Sequence, residues 1–115
     1  MGNIQNNTAA PDLSYLKEMV GDDKDALKDI ISIFCNEAPF ALESLEESAK
    51  RRDHNELRRI SHSLIAELTT VGILSALHDL KRINKSSKEI KDLDEATERV
   101  VKTVRDSIEI LKTMF

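Results

Sequence analysis

Leu93, Thr97, Val100, Val104, Ile108, Leu111 and Phe115 recur in steps of three and four to the end of the chain. That spacing keeps one apolar side chain per turn on a single face of an α-helix, whereas a half-buried strand needs strict alternation. The same period runs from Leu27 through Ile30, Ile31, Phe34, Ala38, Ala41, Leu42 and Leu45 to Ala49, and again from Ile60 through Leu64 and Leu68 to Val71. Stripes of this kind are stable only when they bury one another, so the chain is constrained to a bundle of helices. Composition agrees. Aromatics are 3% with no Trp, which leaves the core to Leu, Ile, Val and Ala, and the few Gly and Pro favour helices over a sheet. At 115 residues there is room for one domain and one core.

Residues 1–10 are polar and Asn-rich without periodicity and read as a flexible tail or linker, leaving 11–115 as the helical domain. Pro11-Asp12 opens a short helix with Leu13, Leu16, Met19 and Val20 on its apolar side, closed by Gly21. Asp22 or Asp23 caps the next helix. Pro39 lies inside its stripe, removes one backbone donor and is expected to kink the helix near Cys35 to Asn36. Because the stripe keeps its phase across Pro39, one long helix is predicted rather than two. Lys50-Arg51-Arg52 places positive charge at its end. Asp53 with Glu56 resembles a capping box that starts a third helix running to about Val71, with Gly72 as its left-handed terminator. Leu74, Leu77, Leu80 and Ile83 mark a fourth helix that fades into Asn84-Lys85-Ser86-Ser87. The last helix starts either at Ser86, boxed by Glu89, or later at Asp92, boxed by Glu95. The predicted fold class is all-α: an antiparallel up-and-down four-helix bundle capped at one end by the short first helix.

Several function classes fall away. The formal net charge is −4 and no basic stripe tracks a phosphate backbone, which argues against nucleic-acid binding. No apolar run approaches a membrane span, and Met-Gly at the start lacks the Ser or Thr of a myristoylation site where Asn6 stands. A single cysteine, Cys35, allows no internal disulfide and suits a reducing cytoplasm, where the protein is expected. The inward stripes hold almost no carboxylates or histidines, so a metal site in the bundle core is not expected.

Three histidines remain. His54 in the first turn of its helix and His78 on the polar side of the fourth read as solvated surface residues. His62 lies about 160° round its helix from the middle of the apolar stripe, on the count of 100° per residue. Arg58 and Arg59, four and three positions earlier, can reach the space over its ring. Ile65, Ala66 and Thr69 form a mostly uncharged platform beside it. A neutral exposed imidazole is a good nucleophile near neutral pH, since imidazole titrates near about 6.5, and a phosphoryl group brought by a partner is an electrophile it can attack at low cost. With no phosphate-cradling Gly-rich loop and no acidic metal cluster in the sequence, that group would have to arrive on another protein. On spacing alone a plain surface histidine is the commoner explanation.

The segments Gly21-Asp22-Asp23, Phe34 with Glu37-Ala38-Pro39, and Ile60-Ser61-His62-Ser63-Leu64 through Val71-Gly72 to Leu74 and Leu77 together resemble the histidine-phosphotransfer domains of multistep two-component phosphorelays. The resemblance spans about Asp12 to Phe115. It implies that His62 accepts a phosphoryl group from a receiver-domain aspartate and passes it to another receiver. The chain would be a monomeric phosphocarrier without its own ATP-dependent kinase activity, cofactor or metal, with Mg on the partner receiver. The partners implied are receiver domains and a hybrid histidine kinase. The chain departs from the family where a Lys and then a small residue, commonly Gly, usually follow the histidine by three and four positions. Here Ile65 and Ala66 stand there. Arg58 or Arg59 could supply the lost charge. The alternative is a degenerate domain that docks a receiver or kinase without carrying phosphate, with Ile65 as part of an apolar docking patch.

Overall fold

In a computed structural model that describes residues 10–115, five α-helices and one 3-10 turn pack around a single apolar core. The first helix, α1 (Ser14–Val20), is short and buries Leu16. The second, α2 (Lys24–Lys50), starts where the Asp23 carboxylate accepts from the Ala26 amide at 2.9 Å, which decides between the two candidate caps. It runs unbroken through Pro39 and buries Leu27, Ile31, Phe34, Ala38, Leu42, Leu45 and Ala49, so the predicted single helix is found. At its end Arg52 adopts a left-handed φ of 55°. The Asp53 amide there donates to the Ser48 carbonyl at 2.9 Å and the Arg52 amide to that of Ala49 at 3.1 Å. Those bonds satisfy carbonyls that every helix end otherwise leaves open.

The third helix, α3 (His54–Val71), is capped by Asp53, whose carboxylate accepts from the Glu56 amide at 3.2 Å. Only that half of the box forms, because the Glu56 carboxylate is taken by Arg59. Gly72 ends α3 at φ 77° as expected. A Cβ built there would lie 1.7 Å from the Asp12 carbonyl oxygen, and the Gly72 carbonyl accepts the Asp12 amide at 2.9 Å. The approach to α1 is thus sewn to the end of α3.

Three expectations need correction on the way into the next helix. Leu74 belongs to a 3-10 turn (Leu74–Ala76) and is exposed, because the left-handed turn at Gly72 delivers Ile73 to the core in its place. The fourth helix, α4 (Leu77–Ser86), does not fade at Asn84 but carries Asn84 and Lys85 on its last turn. Ser87 then sits where the next apolar residue of the Leu80–Ile83 stripe would fall, and it is buried. Ser86 therefore caps nothing, and the fifth helix, α5 (Leu93–Met114), takes the later start at Asp92. The Asp92 carboxylate makes no cap hydrogen bond; it binds Arg82 and Arg99 instead. Two stripe members also differ: Met19 on α1 and Phe115 after α5 are exposed, while Val20 beside Met19 packs against the core in its place. The tail reading of residues 1–10 falls almost wholly outside the described residues.

Helix contacts close a ring: α2 touches α3 and α5, α4 touches α3 and α5, and α3 and α5 do not meet. Arg52, just past the end of α2, pairs with Asp94 of α5 at 2.9 Å, and Glu46 of α2 with Arg105 at 3.6 Å, so numbering falls along one helix as it rises along the other. On the opposite side Asp79 and Arg82 of α4 interlock with Asp92 and Arg99. The arginines hold both carboxylates below the usual range, Asp92 down to about 2 through Arg82 and then Arg99. Among the described residues there is no helix long and apolar enough to cross a membrane.

Candidate functional site

The core-facing side of α3 is filled by Leu57, Ile60, Ser61, Leu64, Leu68 and Val71. One face of the helix is left for solvent, and His62 stands on it, exposed, with Ser63 and Ala66 beside it. No hydrogen bond or ion pair ties His62 to another described residue. An imidazole in that position is free to meet a ligand from outside.

The ring borders a shallow, open depression of about 570 Å³ lined by Asn55, Arg58, Arg59, His62, Ser63, Asn84 and Lys85. Two helices build it. From α3 come Arg58 and Arg59; from the last turn of α4 come Asn84 and Lys85. The two arginines differ. Arg59 is held by Glu56 through Nε at 3.0 Å and Nη2 at 2.6 Å, and its guanidinium keeps the Glu56 carboxylate below the usual range. Arg58 has no ion pair among the described residues and its side chain is exposed. Its backbone is fixed instead: the Arg58 carbonyl accepts from Asn84 Nδ2 at 3.0 Å and from Ser61 Oγ at 3.2 Å. One turn further on, His54 Nδ1 lies 2.7 Å from Ser87 Oγ. His54 is thus half-buried and partnered, not solvated as the sequence suggested, because α4 reaches far enough to bring Ser87 against the start of α3. His78 is exposed as expected.

The platform residues separate on inspection. Ala66 and Thr69 are exposed, but the Thr69 hydroxyl is turned back to the Ile65 carbonyl at 2.7 Å. Ile65 is half-buried and packs against the core, so much of the apolar surface credited to a docking patch is already covered. None of these three lines the depression beside His62. On the α2 side of α3 the surface turns acidic. Glu67 is held above the usual carboxylate range, first by shielding from water and then by Glu37 across the helix pair.

Asn55, Ser63, Asn84 and Lys85 were missed as site residues. A signal for the last two was present: carrying the Leu80–Ile83 phase one turn further would have kept residues 84–87 helical and placed Asn84 and Lys85 beside α3. Among the described residues, no three His, Cys, Asp or Glu side chains are grouped to hold a metal ion. Comparison with protein-family models, with curated proteins and with solved structures finds no match to this chain.

Proposed function

We propose that this chain is a phosphocarrier of the histidine-phosphotransfer kind, with α2–α5 as an antiparallel four-helix bundle, α1 across one end and His62 as the phosphoryl acceptor. The observation that carries this reading is an exposed, unpartnered imidazole on a rigid helix, flanked by cations that face solvent. The sequence resemblance over Asp12 to Phe115 supports it independently of the geometry.

The chemistry follows from the ring. The lone pair of the unprotonated ring nitrogen forms an N–P bond to an aspartyl phosphate on a receiver domain. The P–O bond to that aspartate breaks, and its electron pair leaves on the carboxylate. In the second half a carboxylate oxygen of another receiver takes the phosphoryl group and the pair returns to the ring nitrogen. The divalent cation that assists this transfer belongs to the receiver. Because the site is a shallow open surface, a folded partner can bring its own aspartate to the histidine; a deep pocket would shut it out.

The competing reading is a domain that docks a partner without carrying phosphate. Its motive was an apolar Ile65 beside the histidine, and the packing of Ile65 against the core weakens that motive. A panel of phosphorylated receiver domains separates the two. Transfer of acid-labile, base-stable label to the native chain, absent in His62→Gln, is the expected result. Saturable binding to receivers with no label on the chain would decide for the docking reading.

A further inference from the structure

We propose that Lys85, on the last turn of α4, is the side chain that contacts the phosphoryl oxygens on His62, with Arg58 as its counterpart from α3. This deepens the phosphocarrier reading and rests on it. A phosphoryl group on nitrogen carries close to two negative charges on its three terminal oxygens, and a cation within reach stabilises both the bound group and its transfer. Three cationic side chains line the depression beside His62: Arg58, Arg59 and Lys85. Arg59 is already committed to Glu56 through two nitrogens. Lys85 and Arg58 are exposed and have no ion pair among the described residues. Lys81, one turn earlier on α4, does not line the depression.

What raises Lys85 above an ordinary surface lysine is how its backbone is held. Two side-chain hydrogen bonds between helices bracket it. Asn84 donates to the Arg58 carbonyl on one side, and Ser87 pairs with His54 on the other. Ser87 is buried, and Ile83 just before it is fully buried. The root of Lys85 is therefore fixed against the turn of α3 that precedes His62, while four carbons of flexible side chain let the ammonium follow a phosphoryl group between partners. The simpler alternative is that Lys85 only neutralises the carbonyl end of α4. That role would affect stability and leave phosphoryl chemistry untouched.

Phosphoramidate, a small phosphoryl donor, tests the contact without any protein docking. His62 labelling is followed in the native chain, Lys85→Met, Lys85→Arg and Lys102→Met, the last on α5, which does not touch α3. Lys85→Met should label roughly tenfold more slowly at low ionic strength, the order expected for one charge-assisted contact. Lys85→Arg should restore most of the rate, and Lys102→Met should match the native chain. Lys85→Met labelling at the native rate, with only its melting temperature changed, would overturn the contact and leave the phosphocarrier reading standing. A native chain that takes no label on His62 overturns both.

Discussion

At the scale of single residues, Gly72 and Ile65 show how little room the site's helix leaves. Gly72 holds a left-handed φ, and any β-carbon there would enter the Asp12 carbonyl. Gly72→Ala is expected to cost at least about 2 kcal/mol, from backbone strain plus the lost seam to Asp12. Denaturant unfolding checks this, and an unchanged midpoint would contradict the seam. Ile65, three positions after His62, is half-buried against the core. Ile65→Lys should lose about 1 kcal/mol of stability, since part of an apolar side chain leaves its packing. It should gain little in His62 labelling, because Arg58 and Lys85 already line the depression. A large rate gain in that variant would show that the two cations do not do this work. That His62 faces solvent was legible from its angle to the stripe. That Arg59 is spent on Glu56 was less so, because residues three apart on a helix face offered His62 and Glu56 equally well as neighbours.

At the scale of elements, the stripes predicted the helices, while their ends were decided by side-chain competition. Asp92 looked like a cap, but two arginines claim its carboxylate, so α5 begins without a side-chain cap hydrogen bond. The α4–α5 junction is held instead by the Asp79–Arg82–Asp92–Arg99 cluster. Its pH dependence has a definite sign. Asp92 is depressed from an ordinary 3.8 to about 2 and Asp79 is lowered as well. A carboxylate that is more acidic in the folded state stabilises that state fully above its unfolded value and loses the contribution as pH falls through the folded one. Urea midpoints should therefore fall between about pH 4 and pH 2. Asp92→Asn should flatten part of that slope, with Asp79, Asp94, Glu56 and Asp12 among the carboxylates that supply the remainder. An unchanged slope in Asp92→Asn would mean the cluster is not formed in solution. The approach of Asn84 and Lys85 to α3 was signalled only by the phase of the Leu80–Ile83 stripe, and local propensity masked it. Asn-Lys-Ser-Ser carries weak helix preference, and the burial of Ser87 with its bond to His54 overrides it.

At the scale of the whole molecule, scaffold and site are separable. The core is continuous from Leu16 of α1 through Leu42, Leu64, Leu68 and Leu80 to Val104 and Leu111, whereas His62 and its cations lie wholly on the outside. Leu68→Ala, at a fully buried position, should cost about 3 kcal/mol. Below its melting temperature it should still take label on His62 at the native rate. A loss of labelling in a chain shown to be folded would mean that site and core are coupled. That the chain is all-helical, and which face of each long helix turns inward, was readable from periodicity, because apolar spacing reports the direction of the core. Which polar groups meet across the ring was not, because that depends on how far α4 extends. The claim that joins fold to function is that the phosphoryl group rests on one nitrogen of His62. The most direct measurement is the phosphorus NMR spectrum of the chain after transfer from a phosphorylated receiver domain. A single acid-labile phosphohistidine resonance, lost in His62→Gln, is the predicted result. No protein-bound resonance, or one that persists in that variant, would contradict it.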